Sequence, residues 1–215
     1  MMANETLSLI YFVVGIGFLI MMLFTLFRNK TKESYLFAFS SLFFAIFGFI
    51  MGLYYLEILE GDANTILRII GAEFLLIGPF GIMFSGMIIN EKNLSLLKNW
   101  LILIFVVYIT ISSVLNLSYY LSSEPNELIR ALFNLFPVAV LFYATYQFYQ
   151  VYSVVQEPAI KRTLLVLTAG LFIGTCGILL FALFILIDES LITIGLVIGI
   201  IGIVGATLAF ALRKS

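Results

Sequence analysis

Glu73 is the one acid or base set well inside a long apolar run, and Arg130 with Asn134, Ser112 with Asn116, and the flanking Arg68 and Glu57 are the polar groups nearest its level. An ionised residue at the centre of a membrane helix costs about 2.5 to 3.5 kcal/mol on insertion scales, so Glu73 is expected to face other helices and find a partner there. It lies eight residues into its run, roughly 12 Å from the run's start at helical rise. Arg68 is five residues away and about 140° round the helix at 100° per residue, which makes it a poor direct partner. Arg130 and Asn134 are spaced i, i+4 on one face, and Ser112, Asn116, Tyr119 and Tyr120 form a polar stripe on another run. The expected ligand-binding set is Glu73, Asn116, Arg130 and Asn134, reached past Glu57 and Arg68. A closed, structural hydrogen-bonded cluster is the competing reading. Gly78 and Pro79 follow Glu73, and Pro137 follows Asn134; a proline lacks the backbone donor, so bends or hinges are expected at both places, with packing as the plainer use.

The elements that must hold these residues follow from composition. Of 215 residues, 63% are hydrophobic and 11% charged, with a mean hydropathy of +1.17, which leaves too little polar surface for a soluble domain. The chain divides into seven apolar runs at 6–27, 35–56, 65–89, 100–121, 128–149, 163–187 and 191–212. Each exceeds 20 residues and lacks the alternation of barrel strands. Lipid admits only internally satisfied backbones, so the runs are expected to be helices. The expected fold is all-α, a single polytopic domain of seven transmembrane helices over 1–215, multi-pass in the cell membrane.

Lys and Arg fall on alternate connections. Arg28, Lys30, Lys32, Lys92, Lys98, Lys161, Arg162, Arg213 and Lys214 share one side, against Arg68 and Arg130 on the other. The basic side is cytoplasmic by the positive-inside tendency, which puts the N-terminus outside and the C-terminus inside. Trp100, Tyr54, Tyr55, Tyr119, Tyr120, Tyr149 and Tyr152 lie at run ends and read as interfacial anchors. Asp188, Glu189 and Ser190 join the last two runs so tightly that those helices must be antiparallel neighbours. Gly170, Gly174, Gly195, Gly199, Gly202 and Gly205 suit intimate contact within that pair, with a homodimer face as the alternative. Tyr143, Gln147 and Gln150 share a face of the fifth run, beside Tyr146 and Ser153, and read as an interfacial belt with internal hydrogen bonds.

The missing residues narrow the chemistry. With no histidine in the chain, histidine-bearing zinc sites and Ser–His dyads are excluded. The only aspartates, Asp62 and Asp188, lie at run boundaries, and no lysine lies inside a run to form a Schiff base. An enzyme is therefore not expected, nor a cofactor or metal. Cys176 is alone and cannot form an internal disulfide.

Three stretches carry a resemblance. The third run, ILRIIGAEFLLIGPFGIMFSGMII, resembles the third helix of the seven-transmembrane sensor region found N-terminal to some prokaryotic histidine kinases. ISSVLNLSYYL is similar to that family's polar segment after the fourth helix, and KRTLLVLTAGLFIGTCGILLF to the basic entry into its sixth. The resemblance spans runs three to seven and implies a signal-input module. Such a module takes a small-molecule ligand from the outer side and passes the signal to a separate cytoplasmic signalling protein. Its surroundings are the lipid bilayer, and no nucleic-acid partner is expected. The alternatives are a small secondary transporter with Glu73 as its coupling carboxylate, and a structural or assembly subunit of a membrane complex.

Overall fold

The computed structural model describes the chain except residues 1, 29, 91–93, 123–125, 188–191 and 213–215; at 2–3, 94–102, 130, 185–186, 192–193 and 210–212 it describes the backbone alone. Among the described residues there are seven helices: α1 (Met2–Arg28), α2 (Lys32–Tyr55), α3 (Asp62–Ile89), α4 (Leu94–Tyr120), α5 (Glu127–Val154), α6 (Pro158–Ile187) and α7 (Ile192–Leu212). Six of them are long and apolar enough to cross a membrane; the described apolar part of α7, Ile194–Ala209, is shorter. Glu91, Lys92, Glu124, Asp188, Glu189, Ser190, Arg213 and Lys214, which entered the charge pattern and the α6–α7 turn, lie outside the described residues, as do the side chains of Lys98, Trp100 and Arg130.

Several helices run past the apolar segments that mark them. α4 begins at Leu94 rather than 100, α5 continues to Val154 rather than 149, and α6 begins at Pro158 rather than 163. An apolar run measures the stretch that suits hydrocarbon, whereas a helix continues until its backbone groups are capped or broken. Asn126 caps α5 by accepting from the Leu128 N–H at 2.9 Å, and Pro158 opens α6 where its missing N–H costs no helical bond. Gly61 is the residue that caps the start of α3, and its φ of +58° favours glycine.

Phe37, Leu76, Leu141 and Phe148 are buried in the core, yet many large apolar side chains face outward while small polar ones are buried. Leu9, Val13, Ile16, Ile20 and Leu23 form an exposed stripe down α1, while Ser8 and Thr25 on the same helix are buried. A surface so apolar is untenable in water and natural in lipid. Thr25, Ser41, Thr145, Thr175 and Thr207 each donate to the carbonyl four residues back, so their hydroxyls need no partner on another helix.

The helices form a ring in the order α1, α2, α3, α5, α6, α7, closed by contact between α7 and α1. α4 stands outside the ring, against α3 and α5. The closest approaches are glycine seams. A Cβ added at Gly48 would sit 2.7 Å from the Gly15 nitrogen across α1–α2, and one at Gly170 would sit 2.7 Å from the Ala206 nitrogen across α6–α7. Gly174, Gly177, Gly195 and Gly202 meet backbone of the facing helix in the same way. Gly177 completes a seam that the glycine spacing had pointed to without it, whereas Gly205 faces open space and takes no part in it.

α3 is one continuous helix through Pro79, and α5 through Pro137. The glycines around Pro79 are packing contacts: a Cβ at Gly78 would meet the Phe44 ring at 2.9 Å, and one at Gly81 the Leu36 carbonyl at 2.6 Å. The Ser40 hydroxyl donates to the Gly78 carbonyl, tying α2 to α3 beside the proline.

Candidate functional site

α3 presents two adjacent stripes, and they hold different chemistry. Ile69, Glu73 and Leu76 follow helical spacing on the stripe facing α4. The Glu73 carboxylate accepts from Asn116 Nδ2 at 2.8 Å and from the Ser113 hydroxyl at 2.7 Å. Asn116 Nδ2 also donates to the Ile69 carbonyl at 3.2 Å, and the Tyr108 hydroxyl lies 3.5 Å from the Leu76 carbonyl. Two side chains of α4, three residues apart, thus hold both carboxylate oxygens. Hydrogen bonds to a charged group each contribute about 1.5 to 3 kcal/mol, which offsets the cost of placing the acid between helices. Asn116 Oδ1 and the Ser112 hydroxyl are buried in the same seam without a partner among the described residues.

Arg68, Ala72 and Leu75 form the second stripe, which lines a cavity of about 110 Å³ inside the ring. The cavity occupies the half of the bundle that carries the N-terminus. Residues from all seven helices bound it, including Tyr11, Tyr55, Tyr120, Asn134, Phe181 and Ile200. Its walls are apolar apart from Arg68, Asn134 and the tyrosine hydroxyls. Arg68 Nη1 donates to the Tyr54 hydroxyl at 3.1 Å, and the guanidinium lies 5.1 Å from the Tyr54 ring centroid and 4.8 Å from that of Tyr120. Among the described residues, two aromatic faces therefore hold the cation. Tyr11 and Tyr55 stack with centroids 5.4 Å apart at the same level.

The expected binding set is thus divided. Glu73 meets Asn116 on the α3–α4 seam, while Arg68 and Asn134 line the central cavity. Glu57 is exposed at the end of the bundle, where Asn4 Nδ2 donates to it at 2.8 Å. Arg130 lies on α5, with its side chain outside the described residues. Sequence reasoning passed over Ser113, although its place three residues before Asn116 on one helical face was a usable signal. Tyr54 and Tyr120, read as anchors, are also the clamp on Arg68; position at a run end does not reveal which rings turn inward.

At the opposite end, Asn90 Nδ2 donates to Gln147 Oε1 at 2.9 Å and to Gln150 Oε1 at 2.7 Å, joining α3 to α5. Gln150 Nε2 donates to the Tyr146 hydroxyl at 2.7 Å. The Gln147–Gln150 face is therefore an interhelical joint. The chain matches no protein-family model, and neither a curated protein nor a solved structure is significantly similar to it.

Proposed function

We propose that the protein is a seven-span integral membrane sensor in which the central cavity is the ligand pocket and a separate cytoplasmic protein reads the α5–α7 side. The observation that carries this reading is the cavity bounded by all seven helices. An occupant would contact every element at once, and the hydrogen-bonded α3–α5 joint at Asn90 offers a mechanical route to the far end. The alternating basic connections support an external N-terminus and a cytoplasmic C-terminus. The resemblance to kinase sensor regions supports the same role. A transporter with Glu73 as coupling carboxylate is less favoured, because that carboxylate is bonded to α4 and turned from the cavity stripe.

Filling the cavity tests transmission without a ligand. Ala72→Phe in the full chain, held in lipid nanodiscs, is expected to change amide hydrogen exchange in the α5–α6 connection at residues 155–157 by about 5-fold or more, the lower range of allosteric coupling. Exchange altered only beside residue 72 would refute the sensing reading. Orientation is tested with Cys176→Ala as background. A cysteine at Glu60 is expected to react with an impermeant reagent added outside intact cells, and one at Glu157 only after permeabilisation; the reverse pattern would invert the topology.

A further inference from the structure

We infer that the cavity takes a small organic anion, a carboxylate carried on a short alkyl body. This rests on the pocket reading above and names the ligand class. Arg68 is the cavity's one cationic lining residue among those described, and it sits six residues from the start of α3, roughly 9 Å along the helix. Among the described residues, the groups that face it electrostatically are the hydroxyls of Tyr120, Tyr54, Tyr55 and Tyr119, and no carboxylate is one of them. Its central carbon lies over the rings of Tyr54 and Tyr120, and among the described residues one of its five N–H donors is taken, by the Tyr54 hydroxyl. A carboxylate is the planar anion that matches a guanidinium fork with two parallel hydrogen bonds.

The remaining walls define the rest of the ligand. Phe18, Phe44, Met51, Leu75 and Phe133 offer nothing to a polar body. The volume, about 110 Å³, is below the roughly 150 Å³ of an engineered apolar cavity that holds benzene, so a few methylenes fit and neither an aryl ring nor a full lipid tail does. Tyr55 and Tyr120 are the last residues of α2 and α4, which places the cationic end of the cavity nearest the bundle surface. An amphiphile entering with its anion toward Arg68 would leave the apolar body pointing inward.

The test uses the full chain in phosphatidylcholine nanodiscs, with binding read by calorimetric titration and by thermal shift. The probes are butyrate, its neutral isostere butyramide, and palmitate. Butyrate is expected to bind at least about 10-fold more tightly than the amide, as one hydrogen-bonded charge contributes. Arg68→Gln should reduce the acid to the level of the amide, while Arg68→Lys retains part of the preference. Equal affinity for acid and amide would overturn the anion inference and leave a neutral-ligand pocket standing. Tighter binding of palmitate would overturn the small-body inference. Failure of both butyrate and the amide to bind would overturn the ligand class, with the sensing reading judged separately by the exchange response to Ala72→Phe. If Arg68→Gln does not fold, the acid and amide comparison on the native chain, with Arg68→Lys, decides the matter.

Discussion

The two stripes of α3 place an acid and a base five residues apart and satisfy them by different means. On the α4 side, Glu73 is held by Ser113 and Asn116, and both carboxylate oxygens have a donor. On the ring side, Arg68 is held between Tyr54 and Tyr120 and faces a cavity. Glu73 sits five residues, roughly 7.5 Å, further along α3 than Arg68, and one ends in a seam and the other on a chamber. Geometry explains the contrast. α4 packs alone against the outside of α3 and α5, so its small polar residues can close on α3; six helices arranged in a ring leave space at their centre. A polar residue within a membrane bundle is thus a structural joint or a ligand contact according to which neighbour it meets.

The largest expected effect breaks the closed side. Asn116→Leu removes one donor from a carboxylate between helices and should destabilise the chain by about 3 kcal/mol, within the range for breaking a buried charged interaction. Adding Glu73→Leu to it should recover about 1 kcal/mol or more, since the acceptor is then gone as well. Equilibrium unfolding of both single variants and the double variant in detergent micelles measures the coupling; strictly additive losses would show that the two side chains do not interact.

A smaller effect sharpens the open side. Tyr120→Leu should cost about 1 kcal/mol by removing a ring face from Arg68, whereas Tyr120→Phe, which keeps the face, should cost less than half of that. The same unfolding measurement distinguishes them. Equal losses would assign the contribution to the hydroxyl and remove the π clamp from the account of how Arg68 is held.

Much of the fold could be read from the chain because lipid imposes simple requirements. An apolar segment of more than 20 residues has few backbone options, so the positions of α1, α2 and α3 follow closely from hydropathy. The site was only partly readable. The insertion cost of an acid pointed Glu73 toward another helix, and the polar stripe on run four included Asn116. Ser113 escaped because a hydroxyl in an apolar run commonly bonds its own helix, as Thr110 does with the Val106 carbonyl. The separation of Arg68 from Glu73 followed from their 140° offset, but the common depth of Glu73, Asn116, Arg130 and Asn134 suggested one pocket where the bundle makes a seam and a cavity.

By itself, the sequence determined that the chain is helical, where each helix lies along it, and which side of α3 each charged residue occupies. These depend on apolar run length and on the helical period, both local properties. The tertiary structure alone decided that α4 stands outside the ring, that the tyrosines at the ends of α2 and α4 turn onto Arg68, and that space remains at the centre. Those outcomes depend on which helices approach closely, and glycine seams such as Gly15–Gly48 and Gly170–Ala206 set that through contacts between residues far apart in the chain.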